Sequence, residues 1–185
     1  MSLDLPDEFV LFDTEFTSWE GAKDRCWLGL GEHRELMQIG AVKVKNLESG
    51  AEYSAFVKPQ FNLELSEFIM EFTEISQDDV DGGRSLLEVL PEFSTWVGGL
   101  PMYCYGTDGK VIAENCWMYG IDNPIAYTQV HDVRQLLDAH GIDYSKYTSG
   151  ILPKAFGVEP ELRAHDALND VRNMLVGLQL LNKQE

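Results

Sequence analysis

A continuous apolar run at residues 9–12 (Phe-Val-Leu-Phe) passes directly into Asp13-Thr14-Glu15. An unbroken run of this length is typical of a strand buried on both faces. Side chains two residues apart on a strand share a face, so Asp13 and Glu15 place two carboxylates side by side. Such carboxylates repel each other unless a cation lies between them, and Mg²⁺ prefers carboxylate oxygens. The sequence therefore predicts a buried strand that ends in a candidate metal site, although in so acidic a chain the Asp-x-Glu pattern also arises by chance.

Two further strand-like runs, residues 36–44 and 53–57, are separated by the turn-like residues 46–50. They predict a hairpin, and with the first strand an antiparallel meander. Residues 102–105 form a short strand candidate, and helical patterns follow at 110–119, at 133–140 and along the stripe from Leu168 to Leu178. Strands first, then alternating helices and strands, predict an α/β fold with a mixed sheet flanked by helices. The length of 185 residues fits one domain, residues 1–185.

A helix is also predicted before this second half of the chain. Ser85 and Glu88 have the spacing of a capping box, and Gly98-Gly99 marks the end of the helix. Pro91 lies between them and predicts an interruption, since proline removes a helical hydrogen bond.

The charge of the chain limits its partners. With 14 basic and 31 acidic residues the formal net charge is −17, which disfavours a general electrostatic grip on long nucleic acid or on an anionic membrane. A short anionic substrate bound locally stays compatible with this charge. No apolar run approaches the roughly 18 residues of a membrane span, and the acidic N-terminus lacks a signal-peptide pattern. Three cysteines without metal-ligand spacing indicate neither a disulfide framework nor a zinc site, so we expect a reducing, cytoplasmic location.

Further acids follow later in the chain. Asp108 lies in a Gly-Thr-Asp-Gly segment between a strand and a helix, where α/β proteins often place their active-site residues. Taken alone, this segment favours a turn or helix-cap aspartate over a functional one. His165 and Asp170 are five residues apart, which is about 140° around a helix, so they converge only if His165 lies in the loop before the helix. Asp166 is well placed to cap that helix, which supports this arrangement. The alternative is a solvated helix start with an exposed histidine.

In chain order these residues read Asp-x-Glu, Asp and His-x-Ala-x-x-Asp, and together they resemble the DEDDh (DnaQ-like) family of 3′–5′ exonucleases. The resemblance covers residues 8–182. Segments 35–42, 75–81 and 149–152 make it most similar to the subgroup of the histone-mRNA 3′-end exonuclease and the sporulation-kinase inhibitor KapD. It implies a ribonuclease H-like fold. One departure is Glu74, in a loop expected near the terminal nucleotide, where the subgroup usually has glycine.

The resemblance also implies a set of roles. Asp13, Glu15, Asp108 and Asp170 would hold two divalent metal ions, Mg²⁺ or Mn²⁺, that stabilise charge on the attacking and leaving oxygens of a phosphodiester. His165 would act as the general base, because imidazole titrates near neutral pH. Phe16 and Thr17 would contact the substrate. For Phe16, core packing is an equally good interpretation.

The implied function is a metal-dependent 3′–5′ exonuclease that releases nucleoside 5′-monophosphates from single-stranded RNA or short oligonucleotides. Two alternatives stay open. One is a KapD-like regulatory interaction module with incidental nuclease activity and an unidentified protein partner. The other is a DNA-directed, proofreading-type exonuclease, because the residue that would read the 2′-hydroxyl is not evident from the sequence.

Overall fold

The computed structural model describes residues 3–183; residues 1, 2, 184 and 185, at the ends of the predicted domain, lie outside the described residues. In this described part of the chain, five strands form one sheet in the order β3-β2-β1-β4-β5. The first three strands are antiparallel neighbours, whereas β4 and β5 run parallel to β1. Their bounds are β1 Glu8–Phe16, β2 Leu36–Lys45, β3 Glu48–Phe56, β4 Met102–Cys104 and β5 Val130–Asp132. The predicted meander and mixed sheet are therefore confirmed.

Within residues 3–183, six α-helices and a long 3₁₀ turn flank this sheet. Their bounds are α1 Glu67–Thr73, α2 Gln77–Asp81, α3 Leu86–Val97, α4 Asp108–Tyr119, α5 Val133–Ala139 and α6 Ala167–Lys183, with the 3₁₀ turn at Ser149–Phe156 between α5 and α6. Among residues 3–183, no helix has both the length and the apolar character needed to cross a bilayer.

The central strand β1 has a hydrophobic core on each face. Val10 and Phe12 pack with α3 and α4, whereas Phe9 and Leu11 pack with α5 and α6. All four side chains are buried, as the continuous apolar run predicts. Because β1 is fixed on both sides, the residues at its carboxyl end are held on a rigid support.

The predicted interruption at Pro91 is wrong, because α3 continues without a break from Leu86 to Val97. Pro91 and Leu87, whose carbonyl would have accepted the missing helical hydrogen bond, are both exposed. That carbonyl lies on the solvent side of the helix, where water can replace the lost donor. The predicted capping box is present, since the Ser85 backbone N–H donates to Glu88 at 3.1 Å.

Candidate active site

The first two acids lie where β1 leaves the core. Asp13 pairs with Gly40 on β2 and Glu15 pairs with Gln38, immediately before a bulge in the strand. Both carboxylates are buried, with 6% and 8% of their surface exposed. β1 therefore presents two carboxylates in a largely water-excluded position, as its sequence predicts.

The third acid, Asp108, is the first residue of α4 and is tied directly to β1. Its Oδ1 accepts hydrogen bonds from the backbone N–H and the hydroxyl of Thr14, at 3.2 and 2.7 Å. Thr14 lies between Asp13 and Glu15, so this contact brings the third carboxylate beside the first two. Asp108 is buried as well. The loop between β4 and α4 thus delivers its acid to the end of β1.

The last two residues converge through the geometry of the loop before α6. Asp166 caps the helix by accepting from the Asn169 backbone N–H at 2.9 Å. His165 precedes the helix in a left-handed conformation with φ 69°, and its backbone N–H donates to Asp170 Oδ1 at 2.9 Å. The prediction that His165 lies in the loop is therefore confirmed, and this loop lets it approach Asp170.

Side-chain atoms of Glu15, His165 and Asp170 lie within 4.8 Å of one another, close enough to hold a metal ion. Asp13 and Asp108 complete the group: burial, and secondly charge repulsion from the nearby Asp108 and Asp170, raises the pKa of Asp13. The structure thus brings all five predicted residues to one place.

The electrostatics of this group favour a cation. Burial and mutual repulsion hold the pKa values of Asp13 and Glu15 well above their usual range. Burial raises the pKa of Asp108 to about 6 and that of Asp170 to about 7. None of the ion pairs found among residues 3–183 involves any of these four carboxylates. Buried carboxylates that form no ion pair within this described part of the chain match the oxygen ligands that Mg²⁺ and Mn²⁺ prefer.

His165 differs from the carboxylates in its surroundings. Burial, and secondly the positive charge of Arg163, lower the pKa of its imidazole. The ring packs against Phe72, with 3.9 Å between ring centroids. At neutral pH a lowered pKa keeps the imidazole uncharged, which is the form that accepts a proton.

Two glycines make room for the site, and sequence reasoning assigned neither of them a role. A Cβ at Gly40 would come within 2.3 Å of the Ala167 carbonyl carbon, so α6 can approach β2 only if residue 40 is glycine. A Cβ at Gly150 would come within 2.3 Å of the Asp170 carboxylate. Gly40 and Gly150 lie in the segments 35–42 and 149–152 that support the family resemblance, and this resemblance is the signal that the sequence offers for them.

Buried polar side chains hold α6 in place. Gln38 donates to Asp166 at 3.0 Å and accepts from the Ala167 backbone N–H at 2.9 Å. Asn173 donates to the backbone carbonyls of Gly150 and Leu162, each at 2.9 Å. These contacts fix the start of α6, and with it Asp170, against β2 and the 3₁₀ turn.

The two predicted substrate contacts have different surroundings. Phe16 is partly buried; its ring meets Trp27 edge-on at 5.8 Å, and the Arg34 guanidinium lies over both rings. Thr17 is buried, and its hydroxyl donates to the His33 carbonyl and accepts from the Glu35 backbone N–H. The Thr17 side chain therefore stabilises the loop that follows β1. Contact with a nucleotide stays a prediction for both Phe16 and Thr17.

The raised pKa values predict how stability depends on pH without metal. Carboxyl groups such as Asp108 and Asp170 bind protons more tightly in the folded chain, so the free energy of unfolding should fall as pH rises from about 4 to about 7. The lowered pKa of His165 makes stability rise with pH, but this is the contribution of one group against that of the four carboxylates. Urea unfolding in EDTA at pH 5.0 and 7.5 measures this difference, which should shrink in Asp170→Asn.

Divalent cations should reverse the loss of stability that we expect at neutral pH. At pH 7.5, Mn²⁺ that binds only the folded site raises stability by mass action, by about 2.7 kcal/mol at one hundred times its dissociation constant. The gain should be smaller in Asp170→Asn and unchanged in Asp122→Asn, which alters an exposed acid. A melting temperature insensitive to millimolar Mn²⁺ would contradict a metal site.

Comparison with known proteins agrees with this geometry. The family model RNase_T, described as an exonuclease, matches residues 10–176. The chain is 31% identical over 170 residues, 90% of its length, to a PolC-type DNA polymerase III of Clostridium perfringens, of which it spans 10%. It is 26% identical over 139 residues, 69% of its length, to 3′-5′ exoribonuclease 1 of Mus musculus, of which it spans 40%. The chain thus covers well under half of these relatives.

Among solved structures, one similar protein is the nuclease domain of 3′hExo, a DEDDh family member, bound to rAMP. Its TM-score is 0.83 at 21% identity, with 98% of this chain and 94% of that chain covered. A 3′-exonuclease structure described as recognising the 3′ end of a histone mRNA stem-loop has a TM-score of 0.80 at 19% identity, with 96% and 64% covered. These structures confirm the predicted ribonuclease H-like fold, and the family model confirms the predicted resemblance to exonucleases.

Proposed function

Because the chain belongs to the RNase_T exonuclease family, we propose that it is a divalent-metal-dependent 3′–5′ exonuclease acting on single-stranded RNA or short oligonucleotides. Its products are nucleoside 5′-monophosphates. One observation carries the proposal: buried carboxylates from β1, α4 and α6 meet one imidazole without an ion-pair partner among the residues described. Crowded buried carboxylates destabilise a fold, so a functional role explains this cluster better than a structural role does.

The ligand set fits two divalent cations. Asp13, Glu15, Asp108 and Asp170 together supply four negative charges, which two Mg²⁺ or Mn²⁺ ions neutralise. When bound, such ions stabilise the negative charge on the attacking and leaving oxygens of a phosphodiester. The protein's contribution is to hold the four carboxylates on rigid elements, with Thr14 fixing Asp108 and the His165 backbone N–H fixing Asp170.

His165 is proposed as the general base. Its lowered pKa leaves the imidazole neutral at physiological pH, and its nitrogen lies close to the carboxylates of Glu15 and Asp170. From this position it can take the proton of a water molecule that attacks the phosphorus. The Phe72 ring covers one side of the imidazole.

Exposed aromatic side chains beside the site favour a single-stranded substrate. Phe68 and Phe72 stack on each other along α1, with 5.7 Å between centroids, and both are partly exposed. Phe16, which is only partly exposed, lies at the end of β1 directly after Glu15. Stacking of a base on an aromatic ring is worth about 1–3 kcal/mol and depends little on sequence. An unpaired 3′ end can use these surfaces, whereas a base held in a duplex cannot.

DNA is a second candidate substrate, and the similarity to a PolC-type DNA polymerase supports it. The similarity to a mammalian exoribonuclease supports RNA. The net charge of −17 favours a short substrate in both cases. A KapD-like regulatory interaction module with incidental nuclease activity is the third interpretation. The complete set of five residues argues against a decayed site and is compatible with such a binding role.

The proposal also covers the domain organisation and the location of the protein. We propose that residues 1–185 form a single exonuclease domain and that it works in the cytoplasm. The free thiols of Cys26, Cys104 and Cys116 support a reducing compartment.

Matched RNA and DNA oligonucleotides of one sequence, labelled at the 5′ end, test the proposal with and without Mg²⁺. We expect a ladder that shortens from the 3′ end, release of nucleoside 5′-monophosphates, and no reaction in EDTA. Faster loss of the RNA would support the exoribonuclease, and faster loss of the DNA the second candidate. Undegraded oligonucleotides at millimolar Mn²⁺ would contradict both and leave the regulatory module.

A further inference from the structure

Arg163 joins the loop that carries His165 to the end of α1. Its guanidinium donates to the Thr73 carbonyl at 2.9 Å and approaches the Phe72 carbonyl at 3.4 Å. It also pairs with the Glu74 carboxylate at 2.9 Å. These carbonyls belong to the last turn of α1, where a helix has unsatisfied acceptors and a partial negative charge. Arg163 therefore caps α1 from a distant part of the chain.

Glu74 reaches Arg163 from an unusual backbone conformation. It ends α1 with φ 59°, in the left-handed region that side chains other than glycine rarely adopt. A glycine would take this conformation without strain but would offer no carboxylate. Glu74 therefore both forms the turn that ends α1 and supplies a carboxylate that pairs with Arg163.

His165 follows Arg163 by two residues and is held from several sides. Its own backbone is left-handed, and its N–H is bonded to Asp170. Before it, the Leu162 carbonyl accepts from Asn173. The ring lies on Phe72, whose carbonyl Arg163 approaches. Arg163 is the link that connects the imidazole's loop to the helix presenting Phe72.

We propose that Arg163, held by Glu74, is a positioning residue that fixes the His165 imidazole between Phe72 and the carboxylates. This inference rests on the proposed exonuclease function. Releasing Arg163 frees α1 and the loop to separate, so the imidazole samples orientations from which it cannot take the proton. Misplacement of a catalytic group by about 1 Å is enough to cost about 100-fold in rate.

The test compares Arg163→Gln, Arg163→Lys and Glu74→Gln with Glu8→Gln. The last variant breaks the Lys45–Glu8 ion pair, which lies at the opposite end of β1. We expect Arg163→Gln to lower kcat by about 10- to 100-fold, with KM and the Mn²⁺-dependent melting shift little changed. Glu74→Gln should lower kcat by about 2- to 5-fold, the range expected of one exposed ion pair. Arg163→Lys should recover part of the loss, and Glu8→Gln should match the wild type.

Two results would overturn the proposal. If Arg163→Gln melts at a lower temperature but keeps the wild-type kcat well below that temperature, Arg163 is only structural. If KM rises while kcat holds, Arg163 binds substrate instead.

A measurement without turnover separates this inference from the proposed function. The His165 and Phe72 rings are in contact, so nuclear Overhauser effects between their protons should weaken in Arg163→Gln and persist in Glu8→Gln. Unchanged effects in Arg163→Gln would contradict the positioning role even in an active enzyme. Weakened effects in a protein without nuclease activity would support the positioning and reject the exonuclease.

Discussion

Asp13→Ala and Asp108→Ala should each lower nuclease turnover by at least about 10³-fold, because metal ions supply several kcal/mol of transition-state stabilisation. Both carboxylates are buried and carry raised pKa values. Removing one of them relieves repulsion in the metal-free protein, so its free energy of unfolding should hold or rise. Single-turnover degradation at saturating Mg²⁺ and urea unfolding in EDTA measure the two effects.

The matched control is Asp122→Asn, an exposed acid beyond the end of α4, which should behave as the wild type in both measurements. Near-normal turnover of either Asp13→Ala or Asp108→Ala would remove that carboxylate from the mechanism. A marked loss of stability would mean that the carboxylate mainly supports the fold.

His165→Ala should lower kcat by about 10²- to 10⁴-fold, the usual contribution of a general base. The loss should fall on kcat more than on KM, because the proton moves in the transition state. The Mn²⁺-dependent rise in melting temperature should persist, since the four carboxylates are still present. Saturating kinetics and thermal melting on the same preparation provide the comparison.

His131→Ala is the control for this variant, because His131 is exposed on β5 and stacks on Tyr103. If His165→Ala and His131→Ala both turn over as the wild type does, His165 takes no part in proton transfer. The carboxylates would then form a metal site with a different base.

The sequence was most informative where one local pattern fixed both a secondary-structure element and the positions of functional side chains on it. The apolar run before Asp13 predicted a strand buried on both faces, and the spacing of Asp13 and Glu15 placed both acids on it. The position of His165 followed from helix geometry, since only a loop conformation allows it to reach Asp170. These predictions depend on local periodicity, which a single sequence contains.

Other features depend on contacts between distant segments. β5 has three residues and only one of them, Val130, is apolar, so its place beside β4 comes from the sheet and not from a pattern. Gly40 matters because α6 packs on it, and Gly150 because Asp170 fills the space above it. The packing of Phe72 on His165 joins two segments with no common motif. In each case the physical reason is visible only when the partner is known.

The division of the site among β1, α4 and α6 also determines when it can form. During synthesis the acids of β1 and α4 leave the ribosome first, and early folding can assemble the strands and helices that carry them. His165 and Asp170 follow only with the start of α6, which must then dock on Gly40 and Gln38. A nascent chain therefore lacks both the imidazole and one carboxylate until α6 has been made, so the complete site can form only after β1, α4 and α6 have all been synthesised.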